Sequence, residues 1–317
     1  MKFNVNQKEL QEALSYCQGV IEKRSTLQIL SNVLLNASNS KLTITATDLD
    51  LIFIHQIENV EILEEGNTTT TSSIMFDIVR KFSSDKKLNL SMNSENKLQL
   101  ESEKSIFNLN CINSSEFPLT DENFNDNTFA INSKHFLKLL NKCKFSISND
   151  ETRHYLSGIY FHQTEVEDKI YLTAVATDSH RMSISKIRLS EKINFDPIIL
   201  PKKTIFQLCS LLDNYDGDLK ISNLKSKIKF ELTNSILISK LIDGKFPNYV
   251  QVIPKNNQKK LETNLKSFLG SIDRVASVSL DKKDGVKFKL SKDTLNLSVN
   301  NTTSGCLLYT SDAADEE

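Results

Sequence analysis

The residues of this chain best suited to chemistry lie in one short run, Asp178-Ser179-His180. An acid, a hydroxyl and an imidazole suggest nucleophilic catalysis, but a triad works only when its three side chains converge. Consecutive residues in a turn or strand end cannot converge, so the plainer reading is a polar turn. As a metal site the run offers at most two ligands, with no third nearby in sequence. His55, His135, His154 and His162 stand alone and read as surface or helix-flank histidines. Cys17, Cys111, Cys143, Cys209 and Cys306 are far apart, so no CxxC pair exists for zinc or redox work. Neither GxGxxG nor a Walker-type GxxxxGK run occurs in a chain with only 8 glycines, which excludes the two commonest phosphate-cradling loops. No catalytic residue, metal or cofactor is expected.

Binding is the better prospect. Lys134, Lys138 and Lys142 fall at i, i+4 and i+8, one stripe of a helix over 133–147. Such a stripe either tracks phosphates or is a solvated face. Basic residues recur beside the other helices as Lys23-Arg24, Arg80-Lys81 and Lys202-Lys203. Aromatic residues do not interleave with them along the sequence, which favours contact with a duplex backbone over stacking on exposed bases. A separate apolar set, Leu156, Met182, Pro247 and Val252, falls in loops and strand ends. It is either core or a groove for a partner's apolar anchors.

The elements that hold these residues repeat. FNVNQKELQEAL at 3–14 returns as FAINSKHFLKLL at 129–140, TATDLD at 45–50 as VATDSH at 175–180, and EFPL at 116–119 as KFPN at 245–248. A third copy opens at LETNLKSFLGSI, 261–272. A period near 130 residues fits duplicated domains rather than a solenoid. Each unit reads β-α-βββ-α-βββ, with helices over 7–22, 76–82, 133–147 and 204–212. The fold class is therefore α+β, antiparallel sheets with helices. In the third copy a helix is expected near 263–277 and a hairpin at 286–299. The net charge of −1 hides a gradient: −7 over 1–127, +5 over 128–254 and +1 beyond. With no leading signal and no apolar run near 20 residues, the chain reads as soluble and cytoplasmic, its thiols reduced.

RSTLQIL (24–30), TATDLD, RHYLSG (153–158), VATDSHR (175–181), LPKK (200–203) and SKLIDGKFPNYVQVIP (239–254) closely resemble the bacterial DNA polymerase III β subunit family, the sliding clamps. The match runs in order from Met1 to about Asn301. The resemblance implies repeated clamp domains, with helices lining a ring interior and antiparallel sheets outside, closed as a homodimer around double-stranded DNA. It further implies a non-catalytic processivity subunit, loaded by a clamp loader and bound by the polymerase III α subunit and other clamp-binding-motif proteins. Carried across residue by residue, it makes Arg24, Arg80, Lys138, Arg153, Tyr155, Lys202 and Lys203 DNA-facing. The partner-peptide pocket maps to Leu156, Thr177, Ser179, His180, Arg181, Met182, Pro247 and Val252, and the dimer face to Lys104, Phe107 and Val278. Ser73 and Gln251 stand where relatives often carry a basic residue.

The expected domains are 1–127, 128–254 and an incomplete 255–305. CLLYTSDAADE resembles a translated sequencing-adapter sequence, so 306–317 is expected to be a non-native tail. Two other classes stay open on the residues alone. A nucleic-acid-processing enzyme would show turnover dependent on the 178–180 loop. A cytoplasmic scaffold of duplicated domains would not distinguish circular from linear DNA.

Overall fold

The computed structural model describes residues 1–22, 26–119, 128–277, 285–291, 294–301 and 305–312, with side chains as far as residue 299. The first repeat contains β1 (Lys2–Asn6), α1 (Gln7–Cys17), β2 (Asn32–Ser38), β3 (Lys41–Thr47), β4 (Leu51–Ile57), β5 (Glu61–Glu64), β6 (Gly66–Thr71), α2 (Ser72–Val79), β7 (Lys87–Met92), β8 (Lys97–Ser102) and β9 (Ser105–Ile112). The second contains β10 (Thr128–Asn132), α3 (Ser133–Cys143), β11 (Gly158–Val166), β12 (Lys169–Thr177), β13 (Met182–Arg188), β14 (Ile198–Pro201), α4 (Lys202–Leu212), β15 (Asp218–Asn223), β16 (Lys227–Glu231) and β17 (Ser235–Lys240). All strand pairs are antiparallel, as in an α+β fold.

Each repeat starts a helix the same way. Asn6 and Asn132, the last residues of β1 and β10, turn their side-chain oxygens back to accept from Lys8 N and His135 N. That satisfies one of the orphan donors of the first turn. Leu10, Ala13, Leu14 and Cys17 then line the buried face of α1, and Phe136, Leu139, Leu140 and Cys143 that of α3. Both helices end earlier than their apolar spacing predicts, because a turn follows Cys17 and a tight 3-10 turn, Lys144–Ser146, follows α3.

Two strands of the first repeat, β5 and β6, and one of the second, β14, are absent from the sequence-based outline. β6 and β14 run directly into α2 and α4. Neither alternates: β14 reads Ile-Ile-Leu-Pro with its first three residues buried, and β6 is a threonine run. A strand buried on both faces has no period-two signal. Gly158 is what lets β14 approach β11, since a Cβ there would sit 2.2 Å from Leu200 O.

The repeats join edge to edge. β17 pairs with β4 from Ser235↔His55 to Ser239↔Leu51, so one 13-stranded sheet runs through both. On the helical side α1 meets α4. There Gly19 lies against Gln207: a Cβ would stand 2.1 Å from Gln207 Oε1 and push that flexible side chain aside, and Gln207 Nε2 donates to Tyr16 O at 2.9 Å. Phe3, Phe53, Phe161 and Phe230 are the largest fully buried side chains of this unit. Burial pushes the Cys143 thiol up to about 11, leaving it inert at neutral pH.

Residues 248–317 form a second compact unit. It holds α5 (Leu265–Ala276), β18 (Lys287–Leu290), β19 (Thr294–Asn301) and β20 (Gly305–Asp312). β19 pairs with both other strands, and Val275, Leu295, Leu297 and Val299 make a small core beside Phe268 and Ile272. Leu265 and Leu269 remain exposed.

His55 marks the seam between the repeats. Its Nδ1 lies 2.8 Å from Ser235 Oγ, its ring stacks on Phe53, and Glu12 of α1 lies close enough to act on it. Burial lowers its pKa below the ordinary 6.5, against a smaller upward pull from Glu12. A lowered histidine pKa means the unfolded chain takes the proton first, so stability present above about 6.5 is lost as pH falls below it. His162, also pushed down by burial, acts in the same sense. The melting temperature should drop between about pH 7.5 and about pH 5.5, by about 2–4 °C per kcal/mol lost. His55→Gln should flatten part of that drop; a variant profile parallel to the parent's would remove His55 from the account.

Candidate functional site

Three segments of the second repeat meet. The first is a short turn over Glu151–Leu156, started by Asp150 accepting from Thr152 N. The second is the β12–β13 connection, Asp178–Arg181. The third is the stretch after β17 that ends at Pro247. Arg153 Nη1 donates to Ser179 Oγ at 2.6 Å, and His154 Nε2 lies 3.1 Å from Asp243 O. Phe246 stacks flat on Tyr160, centroids 4.8 Å apart, which fixes the third segment beside Pro247.

Asp178 builds the turn. Its Oδ1 accepts from His180 N and Arg181 N, both at 3.0 Å, and its Oδ2 accepts from Arg181 Nε at 3.0 Å. Thr177 Oγ1 accepts from Ser179 N and donates to Arg181 O. Burial alone would raise the Asp178 carboxyl, but the two backbone donors and the Arg181 guanidinium outweigh it and hold the pKa below the usual aspartate value. The acid is therefore spent on the turn, and it holds Arg181 rather than His180. Among the described residues no three His, Cys, Asp or Glu side chains gather to hold a metal.

Around this turn Leu156 is buried, Thr177 and Met182 are half-buried, and Ser179, His180, Arg181 and Pro247 are exposed. Val252 belongs to the second unit, where it is 69% exposed in a turn over Tyr249–Val252.

The basic residues do not behave alike. Lys134, Lys138 and Lys142 all lie on the exposed face of α3, and Lys134 is paired with Asp216. Arg80 caps α2, pairs with Asp77 at 2.9 Å and lies over Phe76. Arg153 is shared between Asp150 and Ser179, and Tyr155 is half-buried close to Gly244. Lys202 Nζ donates to Asn149 Oδ1. Lys203 reaches into the first repeat instead: its ammonium donates to Asp48 Oδ2 at 2.5 Å and to Val20 O at 2.7 Å. Arg24 and Val278 lie outside the described residues.

The linear sequence shows no interleaving of aromatic and basic residues, but the folded chain does. Lys144 Nζ and Lys202 Nζ stand 5.8 and 5.9 Å from the centroid of Phe206, and the Arg181 guanidinium is 5.5 Å from that of Phe145. Residues 144 and 202 come together because α3 packs against α4. The readable trace of this was the matching place of Phe76 and Phe206, each four residues into the second helix of its repeat.

A further exposed patch lies on the first repeat. Ile74, Ile106 and Phe107 are 51%, 58% and 36% exposed, and Phe82 meets Phe107 edge-on at 6.2 Å. Ile74, Phe82 and Phe107 border an open cleft of about 480 Å³ that Ile78 and Lys81 also line. Lys104 is exposed at the tip of the adjacent β8–β9 hairpin.

Comparison with known proteins gives a consistent result. Residues 1–121, 130–248 and 250–313 match the N-terminal, central and C-terminal domains of the DNA polymerase III beta subunit. The chain is 33% identical over 307 residues to the beta sliding clamp of Caulobacter vibrioides, covering 96% of this chain and 82% of that protein. It is 31% identical over 301 residues to the beta sliding clamp of Escherichia coli K12, covering 95% and 81%. Among solved structures, a sliding clamp from Bartonella birtlesii bound to griselimycin superposes with a TM-score of 0.92 at 34% identity, covering 98% of this chain and 84% of that one.

Proposed function

This chain belongs to the DNA polymerase III beta subunit family, the bacterial sliding clamps, and from that premise we propose which of its surfaces does each part of the work. It is a non-catalytic processivity factor that encircles duplex DNA and tethers the replicative polymerase. The observation that carries the assignment is that the second repeat presents two sets of different chemistry: an exposed lysine stripe on α3, and a hydrogen-bonded turn at 177–182 beside buried Leu156 and half-buried Met182. One surface suits a backbone that must slide, the other a partner that must stay.

The DNA surface comprises Arg24, Arg80, Lys138, Arg153, Tyr155 and Lys202. Lys203 has the same origin in sequence but braces the two repeats through Asp48, so its share in DNA contact is the smallest. Encirclement supplies the hold, so the contacts need only be weak and indifferent to sequence. Each lysine or arginine that meets a phosphate releases counterions and steepens the dependence on salt. The triple substitution Arg24→Ala, Lys138→Ala, Lys202→Ala should lower retention on nicked circular DNA and reduce the log–log salt slope by about 2–3. Unchanged retention at raised salt would remove these residues from the DNA surface.

Leu156, Thr177, Ser179, His180, Arg181, Met182 and Pro247 form the pocket for peptides of the polymerase III α subunit, the clamp loader and other proteins with a clamp-binding motif. Leu156 and Met182 supply the apolar wall, and the Asp178 turn fixes the polar rim. Truncating a buried anchor costs about 2 kcal/mol or more at such sites. Met182→Ala should therefore weaken binding of a polymerase-derived peptide about tenfold or more. Equal affinities by calorimetry would reject the pocket.

Lys104 and Phe107, with Ile74 and Ile106 beside them, form one half of a homodimer face whose other half includes Val278. An exposed apolar patch of this kind marks an interaction surface. Phe107→Ala should raise the dimer dissociation constant about tenfold or more in sedimentation. No change in self-association would place the interface elsewhere. The same reading keeps the domain limits at 127 and 254 and the protein in the cytoplasm.

A further inference from the structure

Phe206 is the least explained side chain of the helix face. It is 47% exposed in α4, whose buried side is already supplied by Ile205, Leu208, Leu211 and Leu212. Packing does not need it, yet two ammonium groups, Lys144 and Lys202, are gathered over its ring. The ring also belongs to a closed circuit of contacts. Lys202 bonds Asn149, which adjoins Asp150; Asp150 pairs with Arg153, and Arg153 bonds Ser179. Arg181, two residues on, covers Phe145, which adjoins Lys144. Three cation–aromatic contacts, Lys144 and Lys202 with Phe206 and Arg181 with Phe145, thus lie in this part of the second repeat.

The first repeat shows what is particular here. Phe76 holds the same place in α2 but is half-buried, and the Arg80 above it is paired with Asp77. The neighbouring helix α1 exposes Glu9 and Glu12, where α3 exposes Lys134, Lys138 and Lys142. Among the described residues, the second repeat combines an open ring with an adjacent helix whose exposed face carries Lys138 and Lys142 beside Lys134, which pairs with Asp216.

We propose that Phe206 is a stacking platform for an unpaired base of single-stranded DNA, with Lys144 and Lys202 meeting the phosphates on either side. Charge complementarity selects a polyanion. The open ring selects single strands, because a duplex keeps its base faces stacked inside and offers only phosphates and groove edges. A base on an aromatic face is held without regard to its identity, which suits a protein that must work on any sequence. The inference rests on the reading that this helix face meets DNA, and it adds a preference for strands whose bases are free.

Fluorescence anisotropy on the full chain tests it with three labelled probes of equal length, about 16 nucleotides: oligothymidine, an abasic strand of the same charge, and a duplex. The parent should bind oligothymidine about fivefold or more tighter than the abasic strand. Phe206→Ala should abolish that preference and leave duplex affinity within about twofold, and Phe206→Tyr should keep it. Phe206→Leu, which retains apolar bulk without the ring, should behave as the alanine variant, so a folding defect in one substitution does not decide the outcome. Equal binding of thymidine and abasic strands by the parent overturns the proposal. So does a preference that survives Phe206→Ala, or a parallel loss on duplex, which would make the ring a duplex contact. Retention on nicked circles is read separately, so loss of the duplex reading is distinguishable from loss of the stacking site.

Discussion

Main-chain hydrogen bonds across β4 and β17 tie one repeat to the next, and most of the arrangement depends on that seam. An unpaired strand edge invites non-specific association. Here the edge of β4 in the first repeat meets that of β17 in the second, and the pairing makes a single sheet. Once the sheets are continuous, the helices of neighbouring repeats must approach on their own side. Gly19 beside Gln207, and Lys203 bonded to Asp48, are the local terms of that approach. For a sliding clamp this is a mechanical requirement, since a hinge at the seam would let the DNA-facing helices separate.

The duplicated Ala-Thr-Asp motif shows how one local solution serves two purposes. Asp48 accepts from Asp50 N and Leu51 N, and Asp178 accepts from His180 N and Arg181 N. The next residue is left-handed in both copies, Leu49 at φ 77° and Ser179 at φ 75°. Aspartate accepting backbone donors two and three residues ahead stabilises such a turn. In the first repeat the remaining oxygen takes Lys203 and closes the junction. In the second it takes Arg181, and residues 179–181 stay exposed. The resemblance of Asp178-Ser179-His180 to a hydrolytic triad comes from this turn chemistry, in which the acid is already engaged.

The charge gradient along the chain acquires meaning in the same way. A net of −7 over 1–127 and +5 over 128–254 places the positive excess on the repeat that carries both the lysine stripe and the partner turn. Exposed ion pairs such as Lys134–Asp216 contribute little to stability, typically under about 1 kcal/mol. The excess lysines of α3 and α4 are thus better understood through what they attract than through what they hold together.

The period of about 130 residues, the α+β class and the family are all legible along the linear chain. Each of these rests on local order: strand alternation, helical spacing in α1 and α3, and long irregular motifs repeated or matched along the chain. The starts of α1 and α3 were equally legible, because Asn6 and Asn132 act within three residues of their own positions; α2 and α4, read from 76 and 204, begin at Ser72 and Lys202, where no side chain caps the first turn. The tertiary structure decided which residues of a motif are free to act. Lys202 and Lys203 are neighbours with the same charge, yet only a partner 155 residues away in sequence shows that Lys203 is taken by Asp48. Phe206 has no basic residue beside it in sequence except through the fold of α4, and its second lysine arrives from α3. β6 and β14 escaped because strands buried on both faces leave no alternation to read. Local signals set which elements form; contacts between distant segments set which charges are engaged within the chain, because a partner far away in sequence leaves no local trace.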